Sequence, residues 1–132
     1  WIADKLKLPM IYVRGKAKDH GKGNQIEGKI KKKQKVAVIE DLISTGESSS
    51  ETVRAIRKEG AYCSHIFSII TYGMKKSKDN FKSNSIKLLS LTNFPTVVKV
   101  AEKSGYIKET DKEMILQWTK NPPLWGKKMG FE

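Results

Sequence analysis

Apolar residues fall along this chain in two rhythms. Short runs rich in β-branched residues, at 10–13, 35–40, 64–71 and 86–90, predict strands. Stretches with apolar residues three and four apart predict helices at 49–59, 93–103 and 111–119. Strand and helix alternate, so the expected architecture is α/β, a Rossmann-like parallel sheet with helices on its faces. The run Val36, Ala37, Val38, Ile39 lacks polar alternation, which predicts a strand covered on both faces. In the first helix Val53 and Ile56 share a face, and Gly60 suits a left-handed cap. In the second, Asn93 can cap, Pro95 is tolerated in the first turn, and Phe94, Val97, Val98 and Ala101 make the apolar stripe. The third opens on Thr110 with Glu113 three residues on, the pattern of a capping box, and carries Trp118 as a core residue. Residues 1–6 read as the last turns of a helix before Pro9, and 121–132 as a tail that packs over the sheet edge or is disordered.

The 132 residues amount to one domain, 1–132, with room for a hydrophobic core. The net charge of +12, concentrated between Arg14 and Lys35, calls for an anionic partner: a phosphorylated ligand or a nucleic acid. Nucleic acid rests on charge alone, because no pattern of an RNA- or zinc-dependent reader accompanies it. Lys31, Lys32, Lys33 and Lys35 read as a solvated turn at the sheet edge that discourages strand-to-strand aggregation. Cys63 is the only cysteine, so no disulfide forms within the chain, and its apolar strand marks it as a small buried hydrophobe, in keeping with a reducing cytoplasm. His65, without Cys, Asp or Glu at ligand spacing, is expected to be structural rather than a metal ligand. No apolar stretch approaches transmembrane length, and no membrane partner is expected.

The chemistry concentrates at 36–48. An apolar strand leads into Glu40 and Asp41, expected to emerge at its C-terminal edge, where open α/β sheets bind ligands. Ser44, Thr45, Gly46 and Ser48 then lead into a helix whose first N–H groups lack helical partners and suit a phosphate. Carboxylates repel phosphate but accept hydrogen bonds from sugar hydroxyls, so a phosphorylated ribose satisfies both halves of the motif. Upstream, Arg14, Lys18 and His20 stand among Gly15, Gly21 and Gly23, pairing phosphate-binding heads with a backbone free to move. Residues 23–29 match most of a Walker A pattern, but Ile30 replaces the magnesium-binding hydroxyl and no strand leads directly into it.

The acidic pair and Thr-Gly turn resemble the phosphoribosyl diphosphate (PRPP) motif of the type I phosphoribosyltransferases, and residues 12–28 resemble the catalytic loop of the orotate phosphoribosyltransferase family. Weaker similarity continues through 67–75 and 88–101. The resemblance implies transfer of the phosphoribosyl group of PRPP to orotate, giving orotidine 5′-monophosphate and pyrophosphate in pyrimidine biosynthesis. It implies Lys18 and His20 as catalytic residues, and Arg14, Lys18, His20, Glu40, Asp41, Leu42, Ile43, Ser44, Thr45, Gly46, Glu47 and Ser48 as PRPP-binding. Ser44 would also lie beside orotate. Mg2+ would be held mainly by PRPP itself, and the working unit would be a homodimer with shared sites. Relative to the family the chain is expected to lack an N-terminal portion that supplies part of the orotate hood, the first strand and a pyrophosphate loop. The alternative is a PRPP-binding remnant or regulatory module without catalysis. Two departures matter: Gly15 stands where many members carry Lys, and Glu47 puts a carboxylate in the phosphate turn, where it must point outward.

Overall fold

The computed structural model describes residues 1–15 and 25–130. The core is a parallel sheet of three strands, β3 (Lys35–Ile43), β4 (Tyr62–Thr71) and β5 (Lys87–Asn93), in the order β3-β4-β5. The crossovers are α2 (Glu47–Lys58) and α3 (Lys75–Ser83), which pack on each other and on the sheet. Ahead of the sheet come α1 (Ile2–Leu6) and a hairpin of β1 (Tyr12–Val13) and β2 (Ile26–Glu27). After it come α4 (Phe94–Lys103), α5 (Glu109–Gln117) and α6 (Pro122–Lys128).

All four predicted strands and all three predicted helices are present. Asn93 caps α4, its side chain accepting from the Thr96 N–H at 3.0 Å, and Gly60 takes the left-handed conformation just past α2, with φ 82°. Cys63 is buried, and that burial pushes its thiol up against the opposing pull of Arg57. Trp118 packs edge-on against Tyr72, ring centroids 4.9 Å apart, and touches Phe94, tying the C-terminal helices to the end of β4.

Other expectations are corrected. The β3 strand alternates: Val38 is buried while Ala37 and Ile39 are exposed, so only the helix-facing side of the sheet is covered among the described residues. The opposite face leaves Ile39, Phe67, Ile69 and Leu91 accessible beside α1. In α4 only Val98 is fully buried and Val97 is 40% exposed, so the stripe is narrower than predicted. The capping box does not form. The α5 helix starts two residues before the predicted 111, so Thr110 is already inside it and its hydroxyl donates to the Asp111 carboxylate. The tail is not disordered over 122–128: it forms α6, capped by Asn121, with the Trp125 indole donating to the Met114 carbonyl at 2.8 Å.

The α3 helix has no counterpart among the predicted elements. Its sequence, KKSKDNFKS, offers a single large apolar residue. Met74, Ser77 and Phe81 are nevertheless all buried, a stripe with helical spacing in which a serine occupies the middle place.

Candidate active site

The strand β3 runs three residues beyond its predicted end, so Glu40 and Asp41 lie within its last turns of pleat rather than past its edge. Successive strand residues face opposite sides. Glu40 therefore points to the helix side, where it is half-buried and accepts a hydrogen bond from Ser49 Oγ at 2.7 Å. Asp41 is exposed, and its carboxylate accepts from the N–H of Leu42 at 2.6 Å. Ser49, buried in the first turn of α2, is a site residue that the sequence motif did not single out. Its hydroxyl fixes one carboxylate and leaves the other open to solvent.

The turn after β3 spans 44–46. Leu42 is partly exposed, whereas Ile43 is 1% exposed and belongs to the core, its carbonyl accepting from the Tyr72 N–H at 2.9 Å. The Ser44 hydroxyl, which the resemblance places beside orotate, turns toward Met74 Sδ at 3.9 Å. Gly46 is the N-cap of α2, with φ 70° and ψ 12°, a left-handed conformation that costs other residues energy. The first helical bond of α2 runs from the Ser50 N–H to the Gly46 carbonyl at 3.0 Å, so the amides of Glu47, Ser48 and Ser49 precede the helical ladder. Such amides, with the helix dipole behind them, attract an anion.

Glu47 is exposed, and its carboxylate pairs with Lys76 of α3 at 3.1 Å. Arg14 is engaged as well: its guanidinium is ion-paired with Glu27 across the β1–β2 hairpin. Main-chain and side-chain bonds join Arg14 and Gln25 beside it, so the base of the hairpin is well fixed. Lys18 and His20, with Lys16, Lys22, Gly21 and Gly23, lie outside the described residues. The structure thus brings Glu40, Asp41 and 44–48 to the C-terminal end of the sheet.

The residues that the sequence reading missed are Ser49, Lys76, Asn80 and Glu27. Lys76 and Asn80 follow from α3, whose one signal was the spacing of Met74, Ser77 and Phe81.

Comparison with known proteins finds similar sequences and similar folds. The chain is 51% identical over 127 residues to orotate phosphoribosyltransferase of Listeria monocytogenes, covering 96% of this chain and 61% of that protein. Among solved structures, UMP synthase of Leishmania donovani matches with a TM-score of 0.70 and 25% identity, over 87% of this chain and 25% of that one. Orotate phosphoribosyltransferase from Aeropyrum pernix matches with a TM-score of 0.67 and 26% identity, over 80% of this chain and 57% of that one. No family model matches. The chain spans about three fifths of the length of the curated relatives it matches.

Proposed function

We propose, from its homology to a segment of the orotate phosphoribosyltransferases, that this chain forms the PRPP-binding core of such an enzyme. The reaction transfers the phosphoribosyl group of PRPP to orotate, yielding orotidine 5′-monophosphate and pyrophosphate. The observation that carries the reading is the junction of β3 and α2, where an open carboxylate, a tethered carboxylate and a left-handed glycine turn meet at one sheet end.

In this reading the unladdered amides at the start of α2 receive the 5′-phosphate, and Asp41 and Glu40 accept hydrogen bonds from the ribose hydroxyls. Ser49 holds Glu40 in one orientation, so less freedom is lost when the sugar binds. Nucleophilic displacement at C1 leaves negative charge on the departing pyrophosphate, and donors aimed there lower the barrier most. Arg14, Lys18 and His20 take that role, with Arg14 leaving Glu27 as the competing anion arrives. Ser44 turns from Met74 toward orotate. Magnesium favours hard oxygen ligands, and the oxygens of PRPP itself would hold it in the main, with the exposed Asp41 carboxylate available as a further oxygen ligand. A homodimer in the cytoplasm is part of the proposal, and the single buried Cys63 is in keeping with a reducing compartment.

Titration of the chain with PRPP and magnesium, followed by an assay of orotidine 5′-monophosphate formation, tests the reading. Binding is the expected result; binding without turnover identifies a PRPP-binding module instead, and the lack of PRPP binding refutes both.

A further inference from the structure

Each of the four residues at 44–47 is met by α3 or by its N-cap. Ser44 meets Met74, and Glu47 pairs with Lys76. The carbonyl of Thr45 accepts a hydrogen bond from Asn80 Nδ2 at 3.0 Å. Gly46 lies against the buried ring of Phe81, so closely that a Cβ there would come within 2.6 Å of Cζ. The buried stripe of Met74, Ser77 and Phe81 locks α3 in place and so sets where Asn80 points.

The Asn80 contact governs something the others do not. In a trans peptide the carbonyl of one residue and the N–H of the next point to opposite sides of one rigid plane. Tethering the Thr45 carbonyl therefore directs the Gly46 N–H to the side away from Asn80. A peptide flanking a glycine rotates at low steric cost, so this plane needs a tether. Rotated the other way, it would turn a carbonyl oxygen toward any anion in the turn, and the contact would be repulsive.

We propose that Asn80 is a positioning residue that holds the Thr45–Gly46 peptide so that the Gly46 N–H joins the amides of Glu47, Ser48 and Ser49 in receiving the 5′-phosphate of a phosphoribosyl ligand. The inference rests on the function proposed above. The main-chain oxygen of Asn80, which accepts from Ser83 and Asn84 inside the helix, keeps those bonds when the side chain is changed. The side chain thus acts on the turn and is separable from the integrity of α3.

Ribose 5-phosphate, which carries the phosphate and ribose but no pyrophosphate, is the probe, followed by calorimetry and by the amide resonance of Gly46. Asn80→Ala should weaken binding about tenfold, the order expected for losing one well-aligned donor to an ionised group. The Gly46 shift on titration should shrink while the melting temperature changes little. Asn80→Asp, which cannot donate when ionised, should bind as weakly or worse and serves as the test if the alanine variant does not fold. Asn80→Gln, which keeps the amide, should recover part of the loss. Affinity and Gly46 shift equal to the unsubstituted chain in both Asn80→Ala and Asn80→Asp would overturn the role of Asn80 alone. Failure of the unsubstituted chain to bind ribose 5-phosphate would overturn the phosphate turn itself.

Discussion

Gly46 is held by two independent constraints, a left-handed backbone and an aromatic ring where its side chain would begin. Each has its own cost. A left-handed conformation penalises an L-residue by about 1–2 kcal/mol, and overpacking a filled site adds about 1–3. Gly46→Ala is therefore expected to destabilise the fold by roughly 2–5 kcal/mol in urea denaturation, because the Phe81 ring it would meet is buried. A loss below about 1 kcal/mol would mean that the turn and α3 are not packed as described. The two carboxylates ask for the opposite experiment. Asp41 is exposed and, among the described residues, bonded only to the adjacent amide, so Asp41→Asn should leave stability within about 0.5 kcal/mol while weakening PRPP binding. Ser49→Ala removes the buried donor to Glu40 and should cost about 1–2 kcal/mol of stability as well as ribose affinity. If calorimetry finds PRPP affinity unchanged in Asp41→Asn, the ribose is not held there.

At the level of elements, the pairing of β1 with β2 shows how a local contact can hold in reserve an arginine proposed to bind phosphate. The Arg14–Glu27 pair is partly solvated, and exposed pairs contribute about 0–1 kcal/mol. Glu27→Gln should accordingly shift the urea midpoint hardly at all, yet raise PRPP affinity by releasing Arg14 from a competing anion. An unchanged affinity, measured alongside Arg14→Ala as the reference loss, would remove Arg14 from the pyrophosphate's surroundings. The same elements show what a sequence can announce. The strands β3 and β4 were legible as short runs rich in β-branched residues, the helix α2 because its buried residues recur with the helical period, and Asn93 and Gly60 because capping depends on one residue. The α3 helix was not legible, since its buried stripe includes Ser77, whose hydroxyl is satisfied by the Met74 carbonyl at 2.7 Å and so reads as polar. Two-residue strands such as β2 are fixed by their partner across the hairpin, which leaves almost no periodic signal. At the site, the acidic pair and the Thr-Gly turn could be read directly. Their supports, Ser49 and Asn80, could not, because a supporting contact depends on the tertiary position of an unremarkable polar residue.

For the molecule as a whole, the sheet has, among the described residues, one covered face and one open one, and the candidate site residues divide unevenly. What the structure holds firmly is the side proposed to take the ribose and 5′-phosphate: Glu40 tethered by Ser49, Gly46 backed by Phe81, and Glu47 paired with Lys76. What would distinguish PRPP from a simple sugar phosphate is its pyrophosphate, and Arg14 is the one described candidate for it, already occupied by Glu27. Discrimination should then be weak in the 132-residue chain. Ribose 5-phosphate and PRPP are expected to bind within about tenfold of each other, a difference of roughly 1.4 kcal/mol, because a solvated cation released from an ion pair returns little net energy. Orotate alone should bind poorly, since Ser44, the residue proposed to lie beside it, is turned toward Met74. Calorimetry with the three ligands measures all of this in one series. A preference for PRPP of a hundredfold or more would show that Lys18, His20 or their neighbours already grip pyrophosphate in the ground state, and the role of the loop would shift from stabilising the departing charge to binding the intact substrate.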